Sequence, residues 1–156
     1  MPGSFTAVVN SDLFRYLLDL EVKRATRYSY FFSLLLLEVD QLPVGLEHLD
    51  TIAKLIMDEI REVDIVGKME SNLFSALLQA ETKPAQMISE RIRNRVLNYT
   101  FLSEETNQKQ EITISGGGVC FPSHGVNSAE LTSQAASLLG TARAEGGNRV
   151  HFSGVF

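Results

Sequence analysis

The run Tyr30-Phe31-Phe32-Ser33-Leu34-Leu35-Leu36-Leu37 constrains this chain more than any other feature. It shows no alternation of apolar and polar residues, so a strand formed from it has two apolar faces, and both need cover. Too many large apolar residues stand in succession for an amphipathic helix of that length. Ser33 breaks the run and Glu38 ends it, far short of the roughly 20 apolar residues that a membrane-spanning helix requires. The expectation is a central strand over Tyr30–Asp40, buried between layers of helices.

Composition agrees. The 156 residues suit one domain, expected over 1–156, and can bury a core without a metal or disulfide. An apolar share of 44% and a charged share of 21% are those of a soluble globule. The lone Cys120 excludes an internal disulfide, and no zinc-type cluster of Cys and His occurs. A net charge of −5 argues against a nucleic-acid polymer as partner. Met1–Asn10 lacks the basic and apolar regions of a signal peptide, so the expected location is the cytoplasm, without membrane insertion.

Around the central strand the pattern reads in order. A helix is expected from an N-cap at Ser11, with Leu13, Leu17, Leu20 and Arg24 at helical spacing. After Pro43 and Gly45 a second helix runs to about Glu62, its stripe Leu46, Leu49, Ile52, Ala53, Ile56 and Ile60. Asp64–Lys68 and Leu73–Gln79 read as a hairpin with a four-residue loop. Lys83-Pro84 opens a third helix, Ser103–Gln110 is a polar loop, and Glu111–Phe121 is a strand containing three glycines. Asn127 and Glu130 start a last helix that stops at Gly146-Gly147, and Arg149–Phe152 is a short strand. The sum is an α+β sandwich: a ferredoxin-like βαββαβ core with an added N-terminal helix and a C-terminal helix and strand.

Several strings stand out in this order: Phe5-Thr6-Ala7-Val8-Val9-Asn10, then Arg24-Ala25 after Phe14 and Glu21, then Leu37-Glu38-Val39-Asp40. Asp64-Ile65-Val66-Gly67-Lys68 with Phe74, Thr113-Ile114-Ser115, and the segment from Ala142 to Val150 complete the set. Together they resemble the GGDEF family, the catalytic domains of bacterial diguanylate cyclases. The resemblance implies a core of the nucleotide-cyclase or palm type. It also implies that the hairpin tip, Gly-Gly-(Asp/Glu)-Glu-Phe in active members, falls here on Glu70, Ser71, Asn72, Leu73 and Phe74. Both glycines that let backbone approach a nucleotide are absent. Neutral Asn72 stands where a carboxylate would hold divalent metal, which requires hard oxygen ligands. Glu38 keeps the other metal position and Arg143 falls on a phosphate-binding one, while Gly147 replaces an arginine. The loop after Asp40 is short, with Leu46 where a guanine-orienting acid would be. The resemblance therefore implies a degenerate cyclase site, with neither metal nor any other cofactor required.

A second family feature is kept. Arg61-Glu62-Val63-Asp64 lies six residues before the Glu70 slot, the register of the family's Arg-x-x-Asp product site, and Arg91 falls on a position that adds an arginine to it. An arginine fork suits guanine O6 and N7, and a carboxylate suits N1–H and N2–H₂. The expectation is a non-catalytic receptor for cyclic di-GMP that signals through a protein partner and forms a ligand-promoted dimer. Its alternatives are a scaffold that binds no nucleotide and, less favoured, a weak cyclase using Glu38 and Arg143. Each residue also has a plainer role open to it. Arg61 and Asp64 would serve as a helix-end ion pair, Glu38 and Asp40 as strand-end acids, and the glycine run as a site of tight sheet packing.

Overall fold

The computed structural model describes residues 7–70 and 72–154. In chain order its elements are β1 (Val8–Asn10), α1 (Ser11–Tyr28), β2 (Phe32–Val39), α2 (Leu46–Glu59), β3 (Ile65–Glu70) and β4 (Leu73–Leu78). Then follow α3 (Thr82–Asn98), β5 (Phe101–Leu102), β6 (Lys109–Gln110), β7 (Ile114–Phe121), α4 (Ser128–Ala144) and β8 (Val150–Phe152). Phe5 and Thr6 of the opening string, and Ser71 of the hairpin tip, lie outside the described residues.

The expected central strand is central. β2 pairs antiparallel with β4 on one side and β7 on the other, in a six-stranded sheet of order β1-β3-β4-β2-β7-β8. The inner four, β3-β4-β2-β7, carry the ferredoxin-like order that the βαββαβ pattern demands. Leu35, Leu37 and Val39 pack into one core with Leu49, Ile52 and Ile56 of α2 and Ile88, Ile92 and Val96 of α3. Leu34 and Leu36 face the opposite way, into a second core with Phe14 and Leu18 of α1 and Leu131, Ala135 and Leu139 of α4. Both faces of the run are thus covered, which its composition required.

Several local expectations are corrected. Asn10, not Ser11, caps α1: its side-chain oxygen accepts from the backbone N–H of Leu13 at 2.8 Å. The buried face of α1 is Phe14, Leu18, Glu21 and Ala25, one position on from the stripe read from the sequence, and Leu13 is exposed. A leucine count misses this phase because the inner face includes a carboxylate. Glu21 is buried, accepting from the Tyr30 hydroxyl at 2.9 Å and the Gln79 side-chain amide at 2.5 Å. α2 ends at Glu59, Leu46 is exposed, and the segment read as a polar loop contains the small β5–β6 pair. β3 extends to Glu70 through an irregularity between Lys68 and Glu70, which leaves only residues 71 and 72 between the hairpin strands.

The glycine run marks tight packing. A Cβ on Gly117 would lie 2.1 Å from the Ala135 carbonyl oxygen and 2.6 Å from the Leu139 nitrogen, so α4 rests directly on the β7 backbone. Asn127 caps α4 by accepting from Glu130 N–H at 2.9 Å, and Glu130 in return accepts from Val126 N–H at 2.9 Å. Cys120 is buried within β7. His124 accepts from Cys120 N–H through Nδ1, and His151 meets Glu145 at 2.7 Å.

Candidate functional site

The residues singled out by the sequence gather at the two ends of β2. At its C-terminal end stand Glu38, Asp40, Asn72 and Arg143. Glu38 lies on the α4 face of the sheet, and Arg143, one residue before the end of α4, reaches over to it with Nη1 2.6 Å from Oε1. The two positions that would hold metal and phosphate therefore neutralise each other. Asn72 is buried at the turn; its side-chain amide donates to the Val39 carbonyl at 3.3 Å, and its own carbonyl accepts from Val39 N–H at 3.0 Å. An N–H donor thus occupies the position where a metal site needs an anionic oxygen.

Asp40 is engaged entirely within the fold. Its oxygens accept from Thr113 Oγ1 and Ser115 Oγ, each at 2.7 Å, and from Asn148 N–H at 2.9 Å. Gly147 lies against this carboxylate with φ +77, and a Cβ there would come within 2.9 Å of the Asp40 Cγ. An arginine at 147 has no room in this arrangement. With Glu38 paired, Asn72 neutral and Asp40 saturated, the residues present do not fit a pair of divalent cations. Among the described residues, no group of three or more His, Cys, Asp or Glu side chains could hold a metal ion. Glu70 is exposed, Leu73 is half-buried and Phe74 belongs to the core. Leu42 and Leu46, flanking the short loop, are exposed and offer no polar group to a base.

At the other end of β2 is a cleft of about 700 Å³ between the β2 entry, the β4–α3 connection and α3. Arg61 and Arg91 both line it, together with Tyr30, Phe31, Gln79 and Glu81. Arg61 keeps 61% of its side chain exposed, donating through Nη2 to the Gln79 carbonyl, and Arg91, 55% exposed, pairs with Glu59 at 3.1 Å. Arg93 and Arg95 point elsewhere, to Glu90 and Asn148 and to Asp58 and Glu59 respectively.

Asp64 does not line the cleft. Its side chain is 0% exposed, and its two oxygens accept from Arg61 N–H at 2.9 Å and Gln79 N–H at 2.8 Å. With both oxygens engaged in this way, the carboxylate ties the turn after α2 to the end of β4. Arg61 and Arg91 come together, and Asp64 supports the first from beneath.

Sequence reasoning missed the rest of the cleft. Gln79, Glu21 and Tyr30 form one hydrogen-bonded chain under it, and the Tyr30 hydroxyl is pushed up to about 12 by partial burial, then by its bond to Glu21 and that residue's charge. Glu81, at the N-cap of α3, and exposed Phe31 carry no sequence pattern that marks them as cleft residues.

A ferredoxin-like sheet with helices on both faces and acids at the end of its central strand defines a domain of the nucleotide-cyclase, or palm, class. Residues 4–149 match the family described as diguanylate cyclase, GGDEF domain, and the chain belongs to the GGDEF family. The probable diguanylate cyclase DgcT of Escherichia coli (strain K12) is 27% identical over 142 residues, covering 85% of this chain and 31% of that protein. The chain thus spans about a third of that relative's length. Among solved structures, diguanylate cyclase SiaD in complex with its activator SiaC from Pseudomonas aeruginosa superposes with a TM-score of 0.85. Identity there is 23%, over 97% of this chain and 61% of that one. The GGDEF domain of DgcB from Caulobacter crescentus, in complex with c-di-GMP, gives 0.81 at 18% identity, over 96% and 94%. At these identities the structures establish the shared fold. Among the described residues no helix is long and apolar enough to cross a membrane.

Proposed function

We propose that this GGDEF domain makes no cyclic di-GMP and instead binds it in the Arg61–Arg91 cleft, passing the signal on through protein contacts. The observation that carries the binding half is the presence of two half-exposed guanidinium groups, from different elements, in one cleft beside the exposed ring of Phe31. A guanidinium fork bonds a guanine edge or a phosphate, and an aromatic ring stacks on a base. The catalytic half rests on the Glu38–Arg143 pair and the neutral Asn72. DgcB, which is similar in fold, was crystallised with c-di-GMP, and that agrees with this ligand class.

Calorimetric titration of the whole chain with cyclic di-GMP tests the proposal. Binding is expected, and Arg61→Ala weakens it about ten- to hundredfold without lowering the melting temperature. Asp64→Ala acts differently, because it removes a buried carboxylate that accepts from two backbone N–H groups, and lowers stability by about 2–4 kcal/mol. No heat at high micromolar ligand would leave the scaffold role in its place. Light scattering with and without ligand reads the expected dimer. Incubation with GTP and Mg²⁺ or Mn²⁺ is expected to yield no product above a heat-killed control.

A further inference from the structure

We infer that the cavity between α1, α4 and the sheet is a binding site for a small neutral aromatic molecule carrying one hydrogen-bonding group, which Ser75 receives at the buried end. This inference is independent of the arginine cleft. α1 and α4 share one face of the sheet without closing over it, because α4 presents Ser128, Ala129, Thr132 and Ala136 to the gap. The space left is about 440 Å³, within the range of small-molecule sites and near its lower end. Phe14, Leu18, Leu34 and Leu36 give it apolar walls.

Small residues and an apolar slot would not alone make a site. Ser75 supplies the second observation. It lies on β4 opposite Leu36, lines the cavity and is 1% exposed, and its Oγ has no hydrogen-bond partner. It is the one buried side-chain polar atom left so among the described residues. An unpaired buried hydroxyl costs more than a made hydrogen bond returns, so a partner brought from outside is favoured. Water fills that role poorly, since a buried water needs two to four polar partners and the cross-strand neighbours of Ser75, Leu36 and Gly67, bring no polar side-chain atom.

The ligand's charge follows from the rim. Arg15 is offset by Asp12 at 3.7 Å, Asp19 accepts from the Ser128 hydroxyl, and Glu70 is exposed. No excess of positive charge stands ready for an anionic head group, which excludes a fatty-acid-like occupant. The slot between the sheet and two helices has the Phe14 ring among its walls, against which a planar aromatic body packs, and the volume suits one or two rings.

Fluorescence titration of the whole chain with 2-naphthol and with naphthalene tests this. Wild type is expected to bind both and to prefer 2-naphthol about tenfold, the worth of one buried hydrogen bond. Ser75→Ala, which removes an unpaired hydroxyl and so keeps the fold, should weaken 2-naphthol alone and erase the preference. Ala136→Leu should weaken both; Thr132→Leu serves the same purpose if that variant melts early. Arg61→Ala should change neither, which separates this cavity from the cleft. Failure of 2-naphthol to bind at millimolar concentration would overturn the inference, and so would a preference that survives Ser75→Ala.

Discussion

Two acids two residues apart, Glu38 and Asp40, show how little a residue's identity says about its work. Asp40 accepts three hydrogen bonds that join β2, β7 and the turn after α4, whereas Glu38 makes one half-exposed ion pair. Asp40→Ala is therefore expected to lower unfolding free energy by about 2–4 kcal/mol, and Glu38→Ala by about 1 kcal/mol or less, in urea titrations of the two variants. Tyr30 gives a second residue-scale expectation. Its proton is held above the ordinary value of 10.0, up to about 12, so the folded state disfavours the phenolate. The stability this contributes is complete below pH 10 and is lost as pH rises from 10 through 12. Ultraviolet titration should show one of the four tyrosines ionising last, and Tyr30→Phe should remove that step. Glu21→Gln should bring it back toward 10, since an amide takes away the repelling charge.

Elements were legible where apolar side chains alone set them, and obscure where a polar atom or backbone contact did. β2 could be read from its run of leucines, and α4 from the Asn127–Glu130 box. The inner face of α1 could not, because Glu21 is buried by partners that lie 9 and 58 residues away in sequence. β1 and the β5–β6 pair are two or three residues long, too short for alternation to register. Of the candidate site, the resemblance singled out Arg61 and Arg91, which share a cleft, but the burial of Asp64 was not legible, since a sequence string carries no information about access. The α4–β7 contact gives the element-scale prediction. Gly117→Ala should cost about 3 kcal/mol or more by chemical denaturation, because its methyl group meets α4 backbone, which cannot yield by a change of rotamer. Gly140→Ala, on the outer side of the same helix with nothing within 4 Å, should leave stability equal or slightly higher.

Across the whole molecule, the two clusters are separated by the length of β2, eight residues or about 25 Å. They can therefore be altered one at a time. Replacing Glu70, Ser71, Asn72 and Leu73 by Gly-Gly-Glu-Glu is expected to leave the protein without measurable turnover of GTP. Arg143 still binds Glu38, and Leu42 and Leu46 still flank a loop with no group to orient guanine. Formation of cyclic di-GMP by that variant would show that the hairpin tip alone had been missing. On the proposed receptor reading, the same variant should match wild type in cyclic di-GMP titrations, since none of the four positions lines the arginine cleft.

The sealed carboxylate of Asp64 also bears on how such motifs are counted across genomes. A domain of this shape that keeps the same turn needs an acceptor for two backbone N–H groups there, whatever it binds. Selection for folding alone would hold the aspartate in place, and the four-letter string can outlive its ligand. Surveys that score the string then count intact domains. On the reading proposed above, the arginine three residues earlier, whose guanidinium faces solvent, is the position where gain or loss would follow the ligand.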